Sequence, residues 1–236
     1  MKKYFLLILF SFALYSCSSI ELEAVSTSAE ETQRILEMGL SHEDNLIEAK
    51  KLKSSHMTSV VILQLTNARD EKIQAEKDQV EATKFADLVN VFDDDSSFIG
   101  SQVSESLANS LSPGLNLQIY NLVGSKNLNS NIISHKLSIK FVHESSDKRD
   151  YSSANICDNW NRCDANEREI NLVSVNAKNC TSSICKYEEV VELNLTDETL
   201  NLAVDRGLSI RFNAKKKSNK VSISKAYLMG YLNVAK

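Results

Sequence analysis

The 236-residue sequence is poor in the residues that break or link chain segments, because it has one proline, Pro113, and six glycines. No proline- or glycine-rich linker therefore separates obvious modules, and no glycine-rich loop for nucleotide phosphates is present. Only four histidines occur, and none belongs to a His-Glu-x-x-His zinc motif. A Gly-x-Ser-x-Gly nucleophile elbow is also missing. We therefore expect no cofactor, and we expect a protein that is not an enzyme.

The apolar run near the N-terminus, Tyr4 to Tyr15, is shorter than the roughly 20 residues that a membrane-spanning helix needs. It follows two lysines and ends before a small residue, which is typical of a secretion signal. Leu14-Tyr15-Ser16-Cys17 resembles the lipobox of bacterial lipoproteins, from which only Tyr15 departs. The resemblance implies cleavage before Cys17, a diacylglycerol thioether on its sulfur, and a fatty-acyl group such as palmitate on its amino group.

Residues 1–16 are thus interpreted as a lipoprotein signal peptide and residues 17–29 as a lipidated tether. Two or more acyl chains hold a protein stably on a bilayer, whereas one chain binds only marginally. Enteric lipoproteins retained in the inner membrane tend to have Asp after the lipidated cysteine, and this chain has Ser18. The resemblance therefore favours the outer membrane, with the protein facing the periplasm, and makes the membrane a partner through the lipid on Cys17.

Charge is unevenly distributed along the chain. Residues 17–100 contain 8 basic and 17 acidic residues, whereas residues 101–236 contain 17 and 14. An acidic region next to a membrane disfavours electrostatic binding of nucleic acid, so no nucleic-acid partner is expected. The basic cluster Lys215-Lys216-Lys217, with Lys220, is interpreted as a solvated hairpin turn.

Four cysteines remain besides Cys17, and an even number in an oxidising envelope predicts two disulfides. Three pairings are possible. The local pairing, Cys157–Cys163 and Cys180–Cys185, is favoured because it closes two short loops, whereas the crossed pairings require the loops to lie side by side. A zinc site is the alternative, but no histidine is near and an oxidising compartment opposes it.

The chain from residue 30 to residue 112 is predicted to be mainly helical, with one strand. Two short amphipathic helices come first, and Gly39 ends the first of them. Ser41 and the acidic residues after it are typical of the start of the second. The pattern then predicts, in order, a buried strand at 58–66, a long helix from Asn67 to Phe92, and a helix from Phe98 to Leu111.

From residue 113 to residue 236 the pattern changes to alternating apolar and polar residues, which is typical of antiparallel sheets with one buried face. A short helix capped by Thr196 and a final helix from Lys225 to Leu232 complete this region. The fold class is therefore α+β, with a helical N-terminal region and a β-rich, sandwich-like C-terminal region. Seven strands are predicted: Leu115–Val123, Ile132–Val142, Tyr151–Ile156, Ile170–Asn176, Tyr187–Leu195, Leu208–Ala214 and Val221–Ser224.

The second half resembles a group of uncharacterised bacterial envelope proteins. The resemblance is carried by Asp150-Tyr151-Ser-Ser-Ala154, Cys180 and Cys185, Glu188-Glu189-Val-Val-Glu-Leu-Asn-Leu, Gly207-Leu-Ser-Ile-Arg, and Ala226-Tyr-Leu-Met-Gly-Tyr-Leu. It rests on spacing and contains no catalytic signature, and Cys157 and Cys163 depart from its pattern. It implies a β-rich module of the cell envelope.

Few residues are candidates for chemistry. His135 and His143 lie on one predicted strand, roughly 26 Å apart at about 3.3 Å per residue, so they cannot share a metal or a catalytic triad. Glu188 and Glu189 are neighbours on a strand and point to opposite faces, so they are not a paired acid and base.

The best candidate for a partner contact is the loop between Cys157 and Cys163, which carries Asn159, Trp160 and Arg162. Aromatic side chains on rigid loops often anchor partners, although a Trp that folds back onto the sheet is the commoner case. The sequence thus predicts an envelope lipoprotein that acts as a binding or structural component, with an envelope protein as its possible partner. The alternative is a small-ligand carrier or a hydrolase with a site between helices and sheet.

Overall fold

A computed structural model describes residues 28–92, 96–106, 116–158 and 162–235. The chain divides into two compact units, Met1–Glu76 and Lys77–Lys236. The fold is α+β, as predicted, with helices first and antiparallel strands after them. The predicted signal peptide, Cys17 and residues 17–27 of the predicted tether lie outside the described residues, and so does most of the loop at Trp160. The last two residues of the predicted tether, 28 and 29, are helical, so the folded region begins slightly earlier than predicted.

The first unit is helical. Helix α1 covers residues 28–37, α2 covers His42–Ala49, and α3 covers Ser55–Asp87 and so continues past the division. Gly39 adopts a positive φ of 65° after α1, and the Ser41 side chain accepts a hydrogen bond from the backbone N–H of Asp44, as the two predicted helices require. The core of this unit contains four fully buried apolar side chains: Ile35, Ala49, Val61 and Leu65.

The predicted strand at 58–66 is wrong, because these residues belong to helix α3. A strand with one buried face would bury Val61, Leu63 and Leu65 together. In the structure Val61 and Leu65 are buried, while Leu63 between them is 60% exposed. Burial thus repeats every four residues, and the apolar stripe that packs against the first two helices overrides the strand propensity of the β-branched residues.

The described residues of the second unit form the end of α3, eleven strands and two short helices. The predicted helix from Phe98 to Leu111 is also wrong. Phe98 lies in a short strand and is buried, and residues 103–106 form another short strand, so the described part of this segment belongs to the sheet. Residues 107–111 of the predicted helix lie outside the described residues. The strands are β1 Asn90–Phe92, β2 Ser97–Ile99, β3 Val103–Ser106, β4 Asn116–Lys126, β5 Ile133–Ser145, β6 Tyr151–Cys157, β7 Arg168–Glu169, β8 Asn171–Lys178, β9 Cys185–Leu195, β10 Leu208–Ala214 and β11 Asn219–Ile223.

Two antiparallel sheets face each other. The larger has the order β1-β2-β4-β5-β9-β8, with β3 paired to β4, and the smaller has the order β11-β10-β6-β7. Phe141 of β5 stacks on Tyr151 of β6 with ring centroids 4.4 Å apart and meets Phe212 of β10 edge-on at 5.5 Å. These contacts between the two sheets form the centre of one apolar core.

Two helices close one side of this core. Helix α4 covers Asp197–Ala203 and is capped by the side chain of Thr196, as predicted, while α5 covers Lys225–Val234. Gly230 lets α5 approach the last turns of α3, because a Cβ there would lie 2.5 Å from the carbonyl oxygen of Ala82. This approach positions α5, whose tyrosines enter the core beside β4 and β5.

Candidate functional site

The two histidines of β5 mark the ends of the buried face of the large sheet. His135 and His143 are both buried, and eight residues separate them on one strand, as predicted. Side chains that are directly opposite on neighbouring strands share a face, so His143 lies in a row with Asn116 and Tyr187. His135 lies in a row with Gly124 and Leu195. Between them the rows are mostly apolar.

At the first end, His143 contacts a buried carboxylate. Its Nε2 lies 2.9 Å from Glu189 Oε1, and neither side chain is more than 1% exposed. Glu189 also accepts hydrogen bonds from the backbone N–H groups of Arg149, at 2.7 Å, and Asp150, at 3.2 Å. Burial by itself raises the pKa of Glu189, but the hydrogen bonds from His143 and from the two N–H groups outweigh it and hold that pKa below its ordinary value.

Glu189 therefore fixes the turn that joins the two sheets. Asp150, in that turn, has a positive φ of 64°, a conformation that non-glycine residues rarely adopt. Arg149 then points its guanidinium at the side-chain oxygens of Asn116 and Asn219, and Tyr151 donates to Asn219 Oδ1 at 2.7 Å. The result is a hydrogen-bonded polar end within the sandwich core.

Ser145, His143 and Glu189 have the composition of a nucleophilic triad, because Ser145 Oγ lies 3.1 Å from His143 Nδ1. The geometry opposes that function. The Ser145 hydroxyl donates to the carbonyl oxygen of Asp147, so its hydrogen points away from the imidazole. The imidazole is buried and stacks on Tyr187 with ring centroids 5.5 Å apart. We interpret this cluster as structural.

Glu188 and Glu189 point to opposite faces of β9, as predicted. Glu188 forms an exposed ion pair with Lys178 at 2.9 Å, which holds its pKa below the ordinary value. The role of Glu189 was missed by sequence reasoning. The sequence did contain a signal for this role. Glu189 is separated by an even number of positions from Val191, Leu193 and Leu195, so its side chain points to the same, buried face of β9.

At the other end of the buried face, His135 contacts residues of two helices, one of them at an exposed position. Its Nδ1 lies 3.0 Å from the hydroxyl of Tyr231 on α5, and its Nε2 lies 3.3 Å from Asp197 Oδ1 at the start of α4. Burial lowers the pKa of His135, and Asp197 offsets part of that effect. Gly124 makes the contact possible, since a Cβ there would lie 2.5 Å from the Tyr231 hydroxyl.

A cleft of about 460 Å³ opens beside this histidine. The Asp197 side chain is 57% exposed and forms part of the wall. The full lining is Asn131, Ile132, Ile133, Asp197, Asn201, Leu232 and Ala235. The cleft thus joins the β4–β5 loop, α4 and α5, and its volume is within the usual range for small-ligand sites.

The edge strand β8 is the second exposed feature. It ends the large sheet, and no described strand pairs with its outer side. Most of its side chains are exposed, including the apolar Leu172 at 39% and Val173 at 51%. Val173 is the extra residue of a bulge, because the register with β9 shifts between Leu172 and Ser174.

Both predicted disulfides are present, in the local pairing Cys157–Cys163 and Cys180–Cys185, which leaves no thiolate at these positions for zinc. Arg162 forms an exposed ion pair with Asp158, whereas Asn159 and Trp160 lie outside the described residues. The prediction of a partner contact at this loop stays a prediction.

Lys215, Lys216 and Lys217 lie in the hairpin between β10 and β11, as predicted, whereas Lys220 belongs to strand β11. Lys215 pairs with Asp150 at 3.0 Å and Lys216 with Asp147 at 3.2 Å. Exposed pairs of this kind contribute about 1 kcal/mol or less, so the cluster is a solvated turn tied to its neighbour.

Among the described residues, no group of three or more His, Cys, Asp or Glu side chains could hold a metal ion. None of the helices within the described ranges has the length and apolarity needed to cross a bilayer. No protein-family model, curated protein or solved structure matches the chain.

Proposed function

We propose that this chain is a lipid-anchored protein of the bacterial envelope that acts by binding an extended segment of another envelope protein along β8. The observation that carries the proposal is the edge of the large sheet, where no described strand pairs with the outer side of β8 and its apolar side chains are exposed. The anchor rests on the lipobox resemblance at Cys17. The two disulfides support an oxidising compartment outside the cytoplasm.

An exposed sheet edge is a template for another strand, and proteins usually protect it. Short length, proline and charged side chains are common protections. Strand β8 has eight residues, contains no proline, and carries a single charge, Lys178, at its end. The bulge at Val173, near the start of the strand, is the other protection.

A partner segment that pairs with β8 would gain main-chain hydrogen bonds, and its side chains would cover Leu172 and Val173. Burial of apolar area contributes roughly 25 cal/mol per Å², so two exposed aliphatic side chains offer a useful part of a binding energy. The mode needs no catalytic group, which fits a protein whose buried His143–Glu189 pair is engaged in holding a turn.

The test is site-specific photocrosslinking in native membranes, followed by mass spectrometry. A photoreactive residue at Val173 should crosslink to an envelope protein, and Leu172→Lys should abolish that product, because a charge at the edge opposes pairing. The matched control has the probe at Leu63, which is equally apolar, 60% exposed and in the first unit.

The same product from the probe at Leu63, or a product that consists of two copies of this chain, would contradict the proposed partner. In the same membranes, Cys17→Ala should abolish labelling by radioactive palmitate and release the chain. Continued labelling would contradict the anchor while leaving the edge proposal standing.

A further inference from the structure

We propose that the cleft between the β4–β5 loop, α4 and α5 binds a small organic amine, with its ammonium group at Asp197 and its hydrocarbon part against Ile132 and Leu232. This site is separate from the edge strand and does not depend on the proposed partner. Two observations carry it: the polarity of the groups that line the cleft, and the way in which one buried histidine holds the carboxylate.

His135 orients Asp197. A neutral imidazole has one N–H, and a carboxylate can only accept a hydrogen bond. With Nε2 next to Asp197 Oδ1 at 3.3 Å, the N–H belongs on Nε2, and Nδ1 accepts from the Tyr231 hydroxyl at 3.0 Å. The pKa values support this arrangement, because burial lowers that of His135 and raises that of Tyr231. The hydrogen bond from His135 therefore orients one carboxylate oxygen of Asp197, Oδ1.

The second oxygen of Asp197 is available. Oδ2 makes no hydrogen bond with any residue in the described ranges, and the side chain is 57% exposed on the wall of the cleft. A carboxylate that is held through one oxygen and open at the other is pre-organised for a donor. It needs less reorganisation on binding than a freely rotating surface carboxylate.

The other polar groups of the lining also favour a donor ligand. The Asn201 amide nitrogen is engaged with the carbonyl oxygen of Asp197 at 2.9 Å, which leaves its Oδ1 as an acceptor. No basic side chain occurs among the lining residues in the described part of the chain. A carboxylate and an amide oxygen in a lining that contains no basic side chain attract an ammonium and repel an anion.

The apolar residues of the lining indicate that the rest of the ligand is a hydrocarbon group. Ile132, Ile133, Leu232 and Ala235 form the remaining wall, and Ile132 is 66% exposed at the mouth. Next to it, Asn131 has a positive φ of 55°, a conformation that is uncommon for residues other than glycine. A cleft of about 460 Å³ accommodates a small molecule and is too small for a folded partner.

The test is isothermal titration calorimetry on the full chain in detergent, with n-hexylamine and 2-phenylethylamine as probes. Both amines should bind, whereas hexanol and hexanoate should not. Asp197→Asn should weaken amine binding at least about tenfold, because a hydrogen bond to a charged group is worth roughly 1.5–3 kcal/mol.

The matched control is Glu198→Gln. It removes the same charge from the adjacent, exposed position of α4, and this residue does not line the cleft. Its affinity for the amines should equal that of the unmodified chain. Circular dichroism should show that both variants are folded. Equal weakening by the two variants, equal binding of hexanol and hexylamine, or binding of neither amine would each overturn the proposal.

Discussion

His135 and His143 share a strand, a face and a type of contact, yet the environments of their partners differ. Each imidazole places Nε2 near a carboxylate, at 3.3 Å for His135 and 2.9 Å for His143. Glu189 is 0% exposed and is surrounded by three donors, whereas Asp197 is 57% exposed and keeps one oxygen open. Exposure of the carboxylate therefore distinguishes a contact that holds the fold from one that leaves a carboxylate oxygen accessible, as the proposed amine site requires.

Among the changes that test this comparison, Glu189→Gln should have the largest effect on the stability of the protein. The amide keeps one acceptor oxygen in place of two, so a buried donor from Arg149, Asp150 or His143 is left unpaired. Removing one partner of a buried pair is strongly destabilising, and we expect the free energy of unfolding in urea to fall by about 3 kcal/mol. A loss below about 1 kcal/mol would show that the turn does not depend on this carboxylate.

A smaller effect is expected from acid, in two stages. Burial lowers the pKa of His135, so its contribution is present above the ordinary value of 6.5 and is lost as the pH falls below it. The pKa of Glu189 is also lowered, so its contribution is present above 4.5 and is lost as the pH falls through the folded value. Urea unfolding between about pH 7.5 and about pH 3.5 should show both stages.

Glu189→Gln should remove only the second of these stages, which separates the two clusters in one measurement. An unchanged profile in this variant would mean that other carboxylates account for the acid sensitivity. A profile that lacks both stages would mean that the two histidine clusters are coupled through β5.

The smallest effect is expected in Asp197→Asn. The Asp197 side chain is more than half exposed, so solvent weakens its contact with His135, and the free energy of unfolding should change by less than about 1 kcal/mol. Urea unfolding of this variant beside Glu189→Gln is the direct comparison. Equal losses in the two variants would contradict the division into a structural cluster and an open one.

Sequence reasoning predicted the β-rich half better than the helical half, and the reason lies in particular residues. Strand β10 was predicted at its exact bounds, Leu208–Ala214, because buried and more exposed side chains alternate regularly from Leu208 to Phe212. The segment 58–66 has no polar residue between positions 60 and 63, so its period could not be recognised. There the contacts of Val61 and Leu65 with two other helices decide the structure.

The candidate sites were also predictable only in part. The separation of His135 from His143 followed from strand geometry, and the buried position of Glu189 was encoded in the alternation of β9. The contacts of Asp197 and Tyr231 with His135 were not predictable. They depend on how α4 and α5 pack against the sheet, and no periodicity within the strands specifies that packing.

The Cys180–Cys185 bond connects the two proposals made for this chain, binding along β8 and export from the cytoplasm. It closes the connection from β8 to β9, and Cys185 is also the first residue of β9, opposite Ser145. Closing a loop in advance reduces the entropy lost when the two strands pair. A newly made chain with free thiols would lack this disulfide, and the pairing of β8 with β9 would be less stable. On the proposed function, oxidation after transfer out of the cytoplasm would act as a maturation step, and the edge would become fully formed only in the compartment of the proposed partner.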